Sequence, residues 1–257
     1  MLVAIDIGNS SVNIGYFTDR GLVVQKIDTY PLRNIGDYLA ILKDFLSENR
    51  IEKTGLSGII SSVVRSHSQV FIDALRRLSG EDEIVILTVS HTMNSGLVIK
   101  VDAPEKIGTD RIAGSVGASE LYGAPVAVLD FGTATTITVV DQRRYLIGGA
   151  ILPGLGLMNK ALHQGTQQLQ EVVLEPPDTA LGADTSGCIR SGLYYGTAGA
   201  VERILTEIEN ETGVRFNVVL TGGHSHGIRQ FMSRPCEINP NLALEGLRIL
   251  YGKNRPA

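Results

Sequence analysis

Cysteine is nearly missing from this chain: 257 residues carry two, Cys188 and Cys236. They form no Cys-x-x-Cys pair, so no disulfide framework is expected, and a reducing cytoplasm suits the sequence. Long apolar runs are missing as well. No stretch reaches the ~18 uninterrupted apolar residues that a spanning helix needs. The amino-terminal apolar stretch is broken by Asp6 and has no basic segment before it, which speaks against a secretory signal. There is no excess of positive charge either. Lys+Arg 23 against Asp+Glu 27 gives a net charge of −4, which argues against nucleic acid or an anionic membrane as the main partner. Low-complexity segments and long linkers are also absent. What remains is an ordinary globular composition, long enough for one large domain or two modest ones with buried cores.

Strand patterns open the chain at LVAID (2–6), VNIGYF (12–17) and GLVVQKI (21–27). A helical period follows over 35–49, with Ile35, Leu39, Leu42 and Leu46 on one face. Then come a strand over 56–64, a helix over 67–79 and a strand over 83–89. The second half repeats the first. PVAVLDFGTATTITVVD (125–141) falls beneath LVAIDIGNSSVNIGYF, so that Asp6-Ile7-Gly8-Asn9-Ser10 aligns with Asp130-Phe131-Gly132-Thr133-Ala134. RYLIGGAIL (144–152) matches the third strand, and NVVLTGG (217–223) answers LSGIISS. Helical patterns cover 155–164, 185–212 and, last, 241–251. A helix over about 108–122 leads from one half to the other. The expected fold is α/β: two similar halves, each a mixed sheet with flanking helices, facing a central cleft. The expected division places residues 1–116 in one domain and 117–257 in the other.

A single Asp-x-Gly turn is common for conformational reasons alone. Two copies, each on the first hairpin of a repeated unit, point to a ligand. Gly8 and Gly132 lack a Cβ and let backbone N–H groups approach a bulky anion. Asn9, Ser10, Ser11, Thr133, Thr135 and Thr136 add short neutral donors. Asp6 and Asp130 would repel phosphate directly, but each can hold a hydrated cation that neutralises it.

Paired Asp-x-Gly hairpins with a later Gly-Gly turn resemble the actin–hexokinase–Hsp70 superfamily, with its actin-like, ribonuclease H-like domains. More narrowly, the whole chain resembles type III pantothenate kinases. The matching stretches are DIGNSS (6–11), IISSVV (59–64), GTDR (108–111), ELYG (120–123), DFGTATT (130–136), GGAILPG (148–154), GADT (182–185), TGG (221–223) and NPNLALEGLRILY (239–251). The resemblance implies transfer of the γ-phosphate of ATP to pantothenate, the first step toward coenzyme A. It implies that Asp6, Ile7, Gly8, Asn9, Ser10, Ser11, Val12 and Asn13 form the first phosphate loop. Asp6 would also hold Mg²⁺ through water. Thr133 would contact nucleotide from the second loop, and Asp130 would sit at a site for a monovalent cation, K⁺ or NH4⁺. Gly108, Thr109, Asp110 and Arg111 would bind pantothenate, with Asp110 as proton acceptor, and Thr185 would add a further substrate contact. A homodimer is implied too.

Some residues read in two ways. Thr109 or Asp110 could simply N-cap the following helix, a position that would lower the Asp110 pKa. Gly222 and Gly223 suit close approach to an adenine ring, although a strand-ending turn would look the same. His224 and His226 could bind a transition metal, but with no other cluster beside them they read as a solvent-facing loop. Cys188, inside a helical pattern, reads as core packing. The family's usual Tyr-Asp-Asn-Pro-Arg-Glu run is here Val101-Asp102-Ala103-Pro104-Glu105-Lys106. Val101 thus stands where an aromatic pocket residue is expected. Two alternatives follow: a kinase for another small hydroxyl acceptor, or a catalytically silent nucleotide-binding regulator.

Overall fold

Alternation between apolar and small residues at the start of the chain builds the first strand, β1 (Leu2–Ile7), and tight polar turns fold it onto β2 (Ser11–Thr18) and β3 (Gly21–Asp28). The computed structural model describes residues 1–80 and 84–255. After the hairpins come α1 (Ile35–Glu48), β4 (Ser57–Ser62), α2 (Arg65–Ser79), β5 (Ile86–Thr88), a two-residue strand β6 (Val98–Ile99), a 3-10 turn (Pro104–Lys106) and α3 (Thr109–Leu121). The strand expected over 83–89 has its first residue, Glu83, outside the described residues; its described part is β5. Helix α1 starts where its sequence demands. Asn34 and Asp37 form a capping box, the Asn34 side chain accepting from Asp37 N–H at 3.1 Å while Asp37 accepts from Asn34 N–H at 3.3 Å.

The second set of elements is β7 (Val126–Phe131), β8 (Ala134–Val140), β9 (Tyr145–Pro153), α4 (Leu155–Gln164), α5 (Thr185–Thr212), β10 (Asn217–Thr221), α6 (Ser225–Arg229), β11 (Glu237–Ile238) and α7 (Leu242–Asn254). The duplication is visible in the sheet order. One five-stranded sheet runs β3-β2-β1-β4-β5, and the other, six-stranded, runs β6-β9-β8-β7-β10-β11 and so contains the same order in β9-β8-β7-β10-β11. In each, the first strand pairs antiparallel with the second and parallel with the fourth. Register agrees as well: Asp6 lies beside Ser61, and Asp130 beside Thr221. Each unit is therefore a mixed sheet flanked by helices.

The division of the chain differs from the expected cut at 116/117. One unit holds Met1–Gly117 together with Leu242–Ala257, and the other holds Ala118–Asn241. Helix α7, expected in the second domain, belongs to the first. The reason is close packing: a Cβ on Gly246 would lie 1.8 Å from the Ala113 carbonyl oxygen, and one on Gly117 would lie 2.6 Å from that of Leu242. Glycine at these positions lets α3 and α7 come together over the β1 sheet, where Leu244, Leu247 and Leu250 pack with Ile112, Ala113 and Val116. The sheet of the first unit is thus buried on both faces. Val3, Ile5 and Ile7 meet α1 and α2 on one side, and Ala4 meets α3 and α7 on the other. In the second unit, Ala127, Leu129 and Phe131 share a core with Leu155 of α4 and with Ile189, Leu193 and Val201 of α5.

Candidate active site

Strand alternation decides where Asp6 points. It shares a face with Ala4, the face covered by α3 and α7, and it stands opposite Asn13 on β2. The turn that follows is closed by Gly8 N–H donating to the Ser11 carbonyl at 3.0 Å. Asn9 and Ser10 are exposed at its tip, while Ser11 is half-buried. Ile7 and Val12 are buried and pair with each other, so their contribution to a phosphate loop is through the backbone.

Strand β4 carries the link to the GTDR motif. Ser61 Oγ lies 3.0 Å from Thr109 Oγ1, and Ser62 N–H donates to Thr109 Oγ1 at 3.0 Å. The Thr109 hydroxyl therefore ties the start of α3 to the strand beside Asp6. The Gly108 carbonyl accepts from Ile112 N–H at 3.2 Å, which makes Gly108 the helix cap rather than Thr109 or Asp110. Asp110 Oδ1 accepts Arg111 N–H at 2.8 Å. A Cβ on Gly108 would lie 2.3 Å from that same oxygen, so the glycine leaves the space the carboxylate occupies.

Burial pushes the Asp110 carboxyl above its ordinary range, and the N–H and charge of Arg111 pull it back without cancelling the rise. This corrects the expectation that a helix-start position lowers its pKa. Desolvation outweighs the favourable dipole and hydrogen bond. Burial also lowers the pKa of Arg111, opposed by the Asp110 charge. Val101 is half-buried, ahead of the 3-10 turn that leads into Gly108.

In the second unit, Gly132 N–H donates to the Ala134 carbonyl at 3.1 Å, closing a turn with Thr133 exposed at its tip. Two further glycines press on this turn. Gly222 adopts φ +87°, and a Cβ there would lie 2.3 Å from Asp130 Oδ1 and 2.6 Å from the Phe131 carbonyl carbon. Its carbonyl is held by the Ser225 hydroxyl at 2.8 Å. Gly154, the residue before α4, donates its N–H to the Thr133 carbonyl at 3.1 Å, and a Cβ on it would meet the Gly132 and Thr133 carbonyl oxygens at 2.4 Å. Gly223 is exposed just beyond. Thr185 is exposed in the first turn of α5, where Asp184 Oδ1 accepts Gly187 N–H at 2.6 Å.

Each unit thus presents a short polar turn with a carboxylate two residues before its glycine, at matching registers. A family model described as type III pantothenate kinase matches residues 2–207. The chain belongs to the type III pantothenate kinase family. A type III pantothenate kinase of Moorella thermoacetica is 33% identical over 256 residues, covering 99% of this chain and 100% of the relative. Among solved structures, a protein of Sinorhizobium meliloti described as a 2-dehydro-3-deoxygalactonokinase superposes with a TM-score of 0.60 at 14% identity, covering 100% of both chains. MreB 5 of Spiroplasma citri, bound to AMPPNP, gives 0.52 at 11% identity over 98% of this chain and 96% of its own. At such identities the likeness shows the fold alone, and that fold is the duplicated actin-like α/β architecture.

Within this pantothenate kinase family member, Asp6 and Asp130 offer hard oxygen donors of the kind Mg²⁺ and K⁺ take. Glycine at 222 lets this turn close directly on the Asp130 carboxylate and the Phe131 backbone. Among the described residues, no group of three or more His, Cys, Asp and Glu side chains could hold a metal ion. His224 precedes the single-turn helix α6 and His226 is exposed on it, where a loop was expected. Cys188 is exposed, contrary to the core role expected for it; its face of α5 carries the 182–184 segment instead, and its thiol donates to the Gly182 carbonyl at 3.4 Å. Gly154, Ser61 and Ser62 lay within recognised motifs, yet their part in bracing the turns was not read from sequence. Only the fold brings them into contact with Thr133 and Thr109.

Proposed function

We propose that this chain transfers the γ-phosphate of ATP to the primary hydroxyl of pantothenate. Support comes above all from Asp110, a carboxylate of raised proton affinity that Gly108 leaves room for and that Thr109 and Ser61 link to the strand beside Asp6. The hydroxyl oxygen bonds to the γ-phosphorus as the bond to the bridging oxygen of ADP breaks, and the hydroxyl proton passes to Asp110. In a loose transition state that proton moves late, so the main task of Asp110 is to orient the hydroxyl. Arg111 is a two-pronged donor suited to the pantothenate carboxylate. Gly108, Thr109, Val101 and Thr185 complete the acceptor contacts. Residues Asp6 to Asn13, with Thr133, Gly222 and Gly223, take the nucleotide. Asp6 would hold Mg²⁺ through water, which would neutralise charge on the triphosphate when bound, and Asp130 would take a monovalent cation, K⁺ or NH4⁺. The protein acts as a cytoplasmic homodimer, with neither nucleic acid nor membrane as a partner. Among the described residues no helix is long and apolar enough to cross a membrane.

The test is ADP release by the purified protein with ATP, Mg²⁺ and K⁺, with and without pantothenate, for wild type and Asp110→Asn. Pantothenate-dependent turnover that collapses in the variant is the expected result. Val101 and Ala103 favour a second reading, a different hydroxyl acceptor. Turnover on a related polyol or acid, with none on pantothenate, would establish it. Nucleotide binding with no acceptor-dependent turnover would instead make the chain a silent regulatory homologue.

A further inference from the structure

We propose that His67 is a positioning residue for the first phosphate loop, acting on it through Thr29; this rests on the reading of residues 6–13 as the triphosphate loop. His67 lies in the first turn of α2 with no solvent exposure. Its Nε2 is 2.8 Å from the Thr29 carbonyl oxygen. A carbonyl can only accept, so Nε2 carries a proton and donates it, and Nδ1 lies 3.1 Å from the Ser66 hydroxyl oxygen. Thr29 is equally buried, and its other two polar groups both reach the loop. Its hydroxyl donates to the Gly8 carbonyl at 2.7 Å and its N–H donates to the Ser10 carbonyl at 3.2 Å.

The consequence follows from peptide geometry. In a trans peptide unit the C=O and the next N–H point in opposite directions. The cis bonds among the described residues are Tyr30-Pro31 and Ala124-Pro125, so the 8–9 and 10–11 units are trans. With the Gly8 and Ser10 oxygens held toward Thr29, the N–H groups of Asn9 and Ser11 turn to the other side. A loop that receives an anion on backbone N–H groups needs that orientation set beforehand. Packing alone does not require an imidazole here. The Tyr30 ring meets His67 edge-on at 5.4 Å between centroids, a contact that an apolar ring could also make. An apolar residue would leave the buried Thr29 oxygen without its donor.

The experiment compares wild type with His67→Leu, His67→Gln and Thr29→Val. It measures Mg-ATP affinity by calorimetry, KM and kcat for each substrate, melting temperature, and hydrogen exchange over residues 7–13. In His67→Leu, ATP Kd and KM should rise about tenfold or more while the pantothenate KM stays within about twofold, and exchange at 9–11 should speed up. Gln carries an N–H donor at the reach of Nε2, so His67→Gln should recover most of the loss. Thr29→Val removes only the hydroxyl link and should give a smaller defect of the same kind. A His67→Leu protein that melts earlier but binds ATP like wild type, with unchanged exchange at 9–11, would reduce the histidine to core packing and overturn the proposal. If His67→Leu does not fold, Thr29→Val decides in the same way. If wild type itself binds no nucleotide, the phosphate-loop reading fails, and the exchange data still decide whether His67 and Thr29 order the loop.

Discussion

Replacing Gly108 by alanine tests whether the proposed base is placed by an empty volume. The added Cβ would stand 2.3 Å from Asp110 Oδ1, whereas ordinary contact begins at 3.4 Å. The oxygen must therefore retreat by about 1 Å, and a displacement of that size in a reacting geometry costs roughly 10²-fold in rate. That corresponds to about 2.7 kcal/mol of barrier. The fold should tolerate the change. Gly108 has no positive φ, and the atoms it meets belong to side chains rather than backbone. Alanine in place of glycine at a helix cap costs about 1 kcal/mol, against a total stability of roughly 5–15 kcal/mol. Coupled ADP release should thus show kcat down about 100-fold with the ATP KM unchanged, while the melting temperature falls by only about 2–4 °C. Combining Gly108→Ala with Asp110→Asn should add no further loss, because both act on one group. A Gly108→Ala enzyme with kcat within about threefold of wild type would refute the reasoning, since a 1 Å displacement should cost far more.

Further expectations concern stability. The Asp110 carboxyl binds its proton more tightly folded than unfolded, so its favourable contribution is complete below the unfolded pKa and disappears as pH rises through the folded one. Asp110→Asn should therefore raise the melting temperature at pH 7 while abolishing turnover, and the gain should vanish in acid; a lower melting temperature at pH 7 would contradict this. Gly213 (φ +67°) has nothing within 4 Å of a Cβ, whereas Gly222 (φ +87°) faces the Phe131 backbone at 2.6 and 2.7 Å. Urea unfolding should show a loss of about 1 kcal/mol for Gly213→Ala and roughly 2–5 kcal/mol for Gly222→Ala, and equal losses would be inconsistent with the packing. Glu209, with 3% of its side chain exposed, accepts from Arg215 at 2.6 Å and Arg234 at 3.1 Å. Burial pushes its carboxyl up, but the Arg234 hydrogen bond, the Phe216 N–H and the Arg234 charge, with help from Arg215, hold it below the ordinary value. Glu209→Gln should cost about 3 kcal/mol at pH 7. That stability is present above the unfolded pKa and is lost as pH falls through the folded one, so a loss that does not shrink in acid would argue against the pair.

Local chemistry made much of this protein legible from its sequence. The Asp-x-Gly turns at 6–8 and 130–132 depend on neighbouring residues, and so do the 3.6-residue periods of α1 and α7. The long helix α5 likewise ends at the glycine its sequence supplies, Gly213. The repeat of the first hairpin announced two similar units, and the sheet orders bear it out. Features that depend on distant partners were not legible. The short strands β6 and β11 have two residues each, too few for any period to show. Cys188 lies within a helical pattern, yet which face of α5 is covered depends on the sheet it packs against.

By itself, then, the sequence determined the paired carboxylate turns, because each rests on residues a few positions apart, and their recurrence announced the duplicated units, whereas Asp110 as candidate base came from the family resemblance. Tertiary structure alone decided that α7 closes on the first unit, since that takes Gly117 and Gly246, 129 residues apart, each lying against a carbonyl of the other helix. It also decided that Gly154 and Gly222 press on the Asp130 turn and that the Thr109 hydroxyl bonds to β4. Finally, it decided that Asp110 is raised rather than lowered in pKa, because desolvation is a property of everything packed around a group and not of its neighbours in the chain.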